Sequence, residues 1–254
     1  MQKDDISLAA WALVDEFREG KWKALDLPRI TREDLDLNGI EFVNTLFEVP
    51  TNTYLNLLKQ NAADYGTDLV LIMVDEEGDG CALTEEERKQ FVVNHRKWID
   101  IAHFLGCHAI RTNCRGLEVV SADNALKLAA DTYHHLLEYA EDSGVEILIE
   151  NHGGYSNDPD WMVALMKEVN NPLFGTYPDW RERSAEFDNY TYLEKTAPYA
   201  KGMSYRNQPT EELTAKMIEM SKQSGYHGWY GIESKGRDAV RLGKSLLNKY
   251  LLNK

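Results

Sequence analysis

Cysteine is scarce in this sequence, and the cysteines present do not form a pattern typical of disulfides or metal sites. Cys81, Cys107 and Cys114 give an odd count, and no two of them stand in a Cys-x-x-Cys spacing. This pattern argues against a disulfide framework and against a structural zinc site. It favours a reducing compartment, so we expect a cytoplasmic protein.

Long apolar runs and an excess of basic residues are also missing. No stretch approaches the roughly 18 apolar residues that a membrane span requires, and the N-terminal MQKDDISLAAW lacks the shape of a signal peptide. Acidic residues number 42 against 28 basic ones, which gives a formal net charge of −14. Such a surface repels phosphate backbones, so we expect neither nucleic acid nor a membrane as a partner.

Proline-rich linkers, low-complexity segments and charge blocks are absent as well. We therefore expect one domain over residues 1–254. The sequence contains neither G-x-G-x-x-G nor G-x-x-x-x-G-K-[ST]. An open, doubly wound nucleotide-binding sheet is for that reason the weaker of the two α/β alternatives.

The chain does contain a regular rhythm of short β-rich runs, several of them almost continuously apolar, as in parallel strands covered on both faces. Helical patterns fill the intervals, and one of them opens with a Thr84–Glu87 capping box. Eight strands alternating with helices predict an α/β fold, the (β/α)8 TIM barrel. The predicted strands are 6–13, 39–44, 68–74, 109–113, 146–151, 174–179, 202–207 and 228–233.

Three acidic residues fall at the ends of predicted strands 5, 6 and 8. They are Glu150, Asp179 and Glu233, and the active site of such a barrel lies where the strands end. Like charges in one dry site need compensation, and a divalent cation supplies it. Oxygen ligands suit manganese or magnesium, and an added nitrogen ligand suits zinc or cobalt.

Other residues near the predicted strand ends are candidates for substrate binding. His152 also fits a loop hydrogen bond and Arg206 fits a salt bridge, while the tryptophans fit either a sugar pocket or a plug for the barrel. Asp75 is interpreted as a turn residue. The substrate-binding candidates are His152, Arg206, Trp11, Trp180, Glu41 and Asn113.

The predicted strands 5, 6 and 8, with the sequences ILIENHGG, FGTYPDW and GWYGIES, resemble the sugar phosphate isomerase/epimerase family, the xylose isomerase-like TIM barrels. The resemblance extends from SLAAWAL through GIEFVN and NHRKWIDIAHFLGCHAIR to HGWYGIESKG. In that family one divalent metal, often manganese, is held by Glu, Asp, His and Glu from strands 5 to 8. Glu150, Asp179 and Glu233 match, but Ser204 stands at the position of the histidine.

The resemblance implies a metal-dependent isomerase or epimerase that moves a proton on a keto-sugar or polyol-like substrate through a metal-stabilised enediolate. Glu150 and Glu233 would then be the catalytic acid–base pair. The fourth ligand would be water, Asn207, Gln208 or nothing. No lysine- or arginine-rich cluster follows strands 7 and 8 in the sequence, so we expect a non-phosphorylated sugar.

Two other functions remain open. A dehydratase or lyase of a keto-sugar or keto-glycoside needs the same base and metal. A barrel that binds a sugar-like ligand without turnover would explain the missing histidine on strand 7. Assembly into a homo-oligomer also stays open.

Overall fold

The computed structural model describes residues 4–117, 119–181 and 188–252. All eight predicted strands are present, and they alternate with helices as the sequence predicts. The strands are β1 (Asp5–Ala9), β2 (Gly39–Val43), β3 (Asp68–Met73), β4 (Ala109–Thr112), β5 (Glu146–Glu150), β6 (Phe174–Tyr177), β7 (Met203–Tyr205) and β8 (Trp229–Ile232). The α-helices are α1 (Val14–Arg18), α2 (Leu27–Arg29), α3 (Asn52–Tyr65), α4 (Glu85–Leu105), α5 (Ala122–Ala140), α6 (Pro159–Val169), α7 (Asn189–Thr196), α8 (Glu211–Gln223) and α9 (Arg237–Tyr250).

The eight strands form one parallel sheet in the order β6-β5-β4-β3-β2-β1-β8-β7. Two parallel bridges, Thr176 to Ala200 and Asp179 to Ser204, join the two ends of that order. The sheet therefore closes almost completely, and the predicted (β/α)8 TIM barrel is confirmed. The second bridge also places the end of strand β6 directly beside strand β7.

The core lies between the sheet and the surrounding helices, as expected for parallel strands covered on both faces. Ile40, Leu71, Ile110 and Ile147, from four neighbouring strands, are fully buried. Within the described ranges, no helix is both long enough and apolar enough to cross a lipid bilayer.

Local signals set where several helices begin. Thr84 Oγ1 accepts a hydrogen bond from the backbone N–H of Glu87 at 3.2 Å, and the Glu87 carboxylate accepts one from the Thr84 backbone. This reciprocal capping box opens α4 as predicted. Asp158 caps α6 with Pro159 as the first helical residue.

The first predicted strand is too long. Strand β1 ends at Ala9, and Ala10–Leu13 form a short 3-10 helix. Trp11 therefore lies on a helical turn beyond the strand. The apolar run over 6–13 could not reveal this boundary, because a buried strand and a buried helical turn are both apolar.

Candidate functional site

Three acids meet where strands β5, β6 and β8 end. Glu150 is the last residue of β5, Asp179 follows β6, and Glu233 follows β8 directly. One oxygen from each carboxylate lies within 4.8 Å of the others. The three residues are only 2%, 3% and 8% exposed. Buried carboxylates this close need positive charge beside them.

Arg206, just beyond β7, joins two of these acids. Its Nε lies 2.6 Å from Asp179 Oδ1, and its Nη2 lies 2.7 Å from Glu233 Oε1. Arg181 Nε approaches the other Asp179 oxygen at 3.1 Å. Arg206 is thus a salt-bridge partner in the structure, and its guanidinium contacts both carboxylates at once.

Arg111, inside strand β4, supplies the charge opposite Glu150. Its side chain is 1% exposed, its Nη1 lies 2.7 Å from Asp75 Oδ1, and its Nε lies 3.1 Å from Glu150 Oε2. The Nε–H is not directed at an acceptor well enough to count as a hydrogen bond. We therefore treat the contact with Glu150 as an ion pair.

Ser204 occupies the strand β7 position where the resemblance places a histidine ligand. Its hydroxyl donates a hydrogen bond to Glu233 Oε2 at 2.6 Å and lies 3.5 Å from Asp179 Oδ1. Asn207 and Gln208, the other candidates for the fourth ligand, bind elsewhere. The Asn207 amide donates to the carbonyl of Ala239, and the Gln208 amide donates to the carbonyls of Trp180 and Arg206.

The surroundings give the three carboxyl groups different pKa values. Burial acts to raise the pKa of Glu150, but the Arg111 guanidinium and His152 outweigh it and lower the pKa to about 2. Burial, followed by the charge of Asp179, raises the pKa of Glu233 to about 8. Burial and the charge of Glu150 also raise the pKa of Asp179. The surroundings thus drive the pKa values of Glu150 and Glu233 in opposite directions, the pattern found in acid–base pairs.

Three of the predicted substrate-binding residues surround this cluster. His152 is partly exposed, and its Nδ1 lies 3.1 Å from Glu150 Oε2. Trp11 Nε1 donates a hydrogen bond to Asp75 Oδ2 at 3.2 Å. Arg206 lines the same cavities as His152. Asn113 lies behind them, 5% exposed, and its amide donates to Asp75 Oδ1 at 3.0 Å.

Two predicted residues are not brought to the cleft. Trp180 is 1% exposed and packs its ring 5.3 Å from the ring of Tyr205. This position is that of a plug for the barrel. Glu41 is fully buried, and accepts hydrogen bonds from Ser7 and Tyr177. A Cβ on Gly231 would come 2.1 Å from Glu41 Oε2, so Glu41 occupies the space that this glycine leaves.

Burial raises the pKa of Glu41 to about 7, against the opposing hydrogen bonds from Tyr177 and Ser7. Since this value exceeds the unfolded value, the folded state binds more protons between about pH 4.5 and 7, and stability falls as pH rises through that window. A Glu41→Gln variant has no carboxyl proton to lose, so it does not lose stability in this window for that reason. We expect its free energy of unfolding, relative to the parent, to rise by about 3 kcal/mol from pH 4.5 to pH 8 in urea titrations. An equal difference at both pH values would contradict the assignment.

The sequence interpretation missed several residues of the site. Asp75, interpreted as a turn residue, accepts hydrogen bonds from Trp11, Arg111 and Asn113. Asn151 exchanges hydrogen bonds of 2.7 Å and 3.0 Å with the Asp179 backbone and so fixes the end of β6. An arginine within a buried strand was the available signal for Arg111, because such a charge requires partners.

An open cleft of about 780 Å³ lies over the cluster, and a smaller cavity of about 230 Å³ adjoins it. Both cavities contain His152, Arg206 and Lys235 in their walls. The cleft is large enough for a small polar ligand. Its wall residues are His152, Asp179, Arg181, Arg206, Asn207, Ser234, Lys235 and Ala239.

The donor set fits a divalent metal ion. Three buried carboxylates offer hard oxygen ligands within 4.8 Å of one another, and the Ser204 hydroxyl adds a neutral oxygen beside two of them. The arginine pairs compete with such an ion for the same oxygens. Glu150, Asp179 and Glu233 are the residues that would hold it.

A family model described as "Xylose isomerase-like TIM barrel" matches residues 33–250. In a comparison with curated protein sequences, none matches this chain.

Solved structures of similar fold span almost the whole chain. A D-tagatose 3-epimerase-like protein is 18% identical with a TM-score of 0.74, covering 98% of this chain and 97% of its own. D-allulose 3-epimerase from Methylomonas sp. in complex with D-allulose is 13% identical with a TM-score of 0.76, covering 98% of each chain. A xylose isomerase-like TIM barrel protein from Mycobacterium smegmatis in complex with magnesium is 15% identical with a TM-score of 0.70, covering 99% of this chain and 96% of its own. At these identities the likeness establishes the fold.

Proposed function

The chain belongs to the xylose isomerase-like TIM barrel family, and from that premise we propose that it is a divalent-metal-dependent sugar isomerase or epimerase. Its substrate would be a keto-sugar or polyol-like molecule. The observation that carries the proposal is the buried group of Glu150, Asp179 and Glu233 at the strand ends, under an open polar cleft. The epimerases of similar fold support it.

We propose manganese as the ion, with magnesium as the first alternative, because the three carboxylate donors are oxygens. Cobalt and zinc are further alternatives if a nitrogen ligand joins them. When bound, the ion would polarise the substrate carbonyl and oppose the negative charge that develops as the neighbouring C–H proton leaves. Glu150, Asp179 and Glu233 would hold it. The affinity for the ion would then depend on the neutral oxygen that Ser204 adds and on the arginines that compete for the carboxylates.

The two glutamates are suited to opposite proton transfers. Glu150 is ionised beside Arg111, so it acts as the base that removes the carbon-bound proton. Glu233, which would also be a ligand of the ion, would return a proton to that carbon from its other face. His152 and Arg206, which contact these carboxylates, would orient substrate hydroxyls. Trp11 would bound one side of the smaller cavity.

Chelation tests the metal requirement. A ketose that the chain converts is first found by NMR of the products. We expect a chelator to abolish that conversion and added Mn²⁺ to restore it. At a Mn²⁺ concentration 100 times the dissociation constant, binding stabilises the fold by about 2.7 kcal/mol, which corresponds to a rise in Tm of roughly 5–10 °C. Full activity in a chain stripped of metal would contradict the proposal.

A second candidate function is a barrel that binds a sugar-like ligand without turnover. The specific observation in its favour is that Arg111, Arg181 and Arg206 already compensate the three acids. A folded chain that takes up none of Mn²⁺, Mg²⁺, Zn²⁺ or Co²⁺ would favour this candidate. Product NMR separates the lyase alternative, since a lost β-substituent gives a new unsaturated sugar instead of an epimer.

A further inference from the structure

The charges around the cleft carry information about the substrate beyond its being sugar-like. We infer that the substrate bears a permanent negative charge, a carboxylate or a phosphate, that is received between Arg181 and Lys235. This inference rests on the proposed function and names the substrate class of the same site.

The acids of the site already have their counter-charges. Asp75 and Glu150 face Arg111, at 2.7 Å and 3.1 Å. Asp179 and Glu233 share Arg206, at 2.6 Å and 2.7 Å. Asp179 also pairs with Nε of Arg181 at 3.1 Å. Each of the four acids thus has a guanidinium at short distance.

The wall of the open cleft carries more basic than acidic side chains among the described residues. Arg181, Arg206 and Lys235 line it, against one acidic residue, Asp179. This local excess runs against a chain in which acidic residues outnumber basic ones.

Among the described residues, Lys235 makes no structural contact that would explain a cation in the cleft wall. It is exposed, it lines both cavities, and no hydrogen bond or ion pair joins it to another residue in the described part of the chain. It lies just after strand β8 and before α9, whereas Arg181 lies after β6 and Arg206 after β7. In TIM barrels the loops after strands 7 and 8 are a frequent place for an anionic substrate group.

A divalent ion among the acids would enlarge the positive balance by two charges. A neutral sugar would leave that balance uncompensated, whereas a carboxylate or phosphate would reduce it and gain charge-assisted hydrogen bonds from Arg181 and Lys235. The expectation of a non-phosphorylated sugar relied on the absence of a basic cluster in the sequence. Folding assembles that cluster from residues 181, 206 and 235, which are far apart in the chain.

A matched ligand series tests the inference. D-fructose, D-fructuronate and D-fructose 6-phosphate share one skeleton and differ in the charge at carbon 6, so calorimetric titration of the Mn²⁺-loaded chain isolates the charge. We expect at least one anion to bind about ten-fold or more tightly than D-fructose, as one hydrogen bond to a charged group predicts. The tighter of the two anions identifies the group as carboxylate or phosphate.

Lys235→Gln should lower the affinity of that anion by about ten-fold and leave D-fructose within about two-fold. Lys127→Gln, on the exposed surface of α5, serves as the matched control and should change neither. Equal affinities for the three ligands, no binding of either anion, or an anion affinity unaffected by Lys235→Gln would each overturn the inference.

The outcome is separable from the fate of the proposed function. Lys235-dependent binding of an anion, with no exchange of any carbon-bound proton, would sustain the charge inference and reject the isomerase. Proton exchange on neutral ketoses with no preference for anions would do the reverse.

Discussion

A Glu150→Gln variant is expected to exchange the substrate's carbon-bound proton with solvent about 10²–10⁴-fold more slowly than the parent chain, the range for loss of a general base. The amide cannot accept a proton, and it presents a neutral group to Arg111, which lies 3.1 Å from the carboxylate. Deuterium incorporation from D2O, followed by NMR, measures the rate directly. The effect should fall on turnover rather than only on substrate affinity.

The same strand provides the control. Glu146 opens β5 at the opposite end of the barrel, where its carboxylate pairs with Lys201 at 2.6 Å. Glu146→Gln therefore makes the same chemical change far from the strand end and should leave the exchange rate unchanged. If Glu150→Gln exchanged at the parent rate while remaining folded, Glu150 would not be the base.

An Arg111→Met variant is expected to lose about 3–5 kcal/mol of unfolding free energy, the usual range when one partner of a buried ion pair is removed. The side chain is 1% exposed, and its loss leaves Asp75 and Glu150 without their nearest cation. Urea unfolding at neutral pH gives the value. Arg241→Met is the control, because that arginine pairs on the surface with a fully exposed Asp238 and should unfold like the parent.

A double-mutant cycle separates the pairing from simple loss of packing. Combining Arg111→Met with Glu150→Gln removes the uncompensated charge, so the double variant should recover about 1–3 kcal/mol relative to the sum of the single variants. If the losses of unfolding free energy in the two single variants simply add, Arg111 stabilises the barrel through its packing and its ion pair with Asp75, and not through Glu150.

The barrel was predictable because its signals are local. Buried parallel strands appear as short apolar runs, and helix starts such as Thr84 and Asp158 have side chains that cap their own backbone. The rule that sites lie at the strand ends led from the sequence to Glu150, Asp179 and Glu233 as one group. In the structure one oxygen from each of these carboxylates lies within 4.8 Å of the others.

The counter-charges were not predictable in the same way, because they depend on contacts between distant residues. Asp75 and Arg111 are 36 positions apart and meet only when β3 and β4 pair. The sequence could not show that Trp180 and Glu41 are buried away from the cleft for a related reason: a strand-end position does not say which face a side chain takes. The direction is set by packing, against Tyr205 for Trp180 and against Ser7 and Tyr177 for Glu41.

We propose that this site moves a proton on the carbon next to a sugar carbonyl. Incubation of the Mn²⁺-loaded parent chain in D2O with ketohexoses, their uronate forms and their 6-phosphates tests it most directly. We expect deuterium at the carbon adjacent to the carbonyl of at least one of them, and no label when the chain is heat-inactivated. A folded, metal-loaded chain that labels none of these sugars would contradict it.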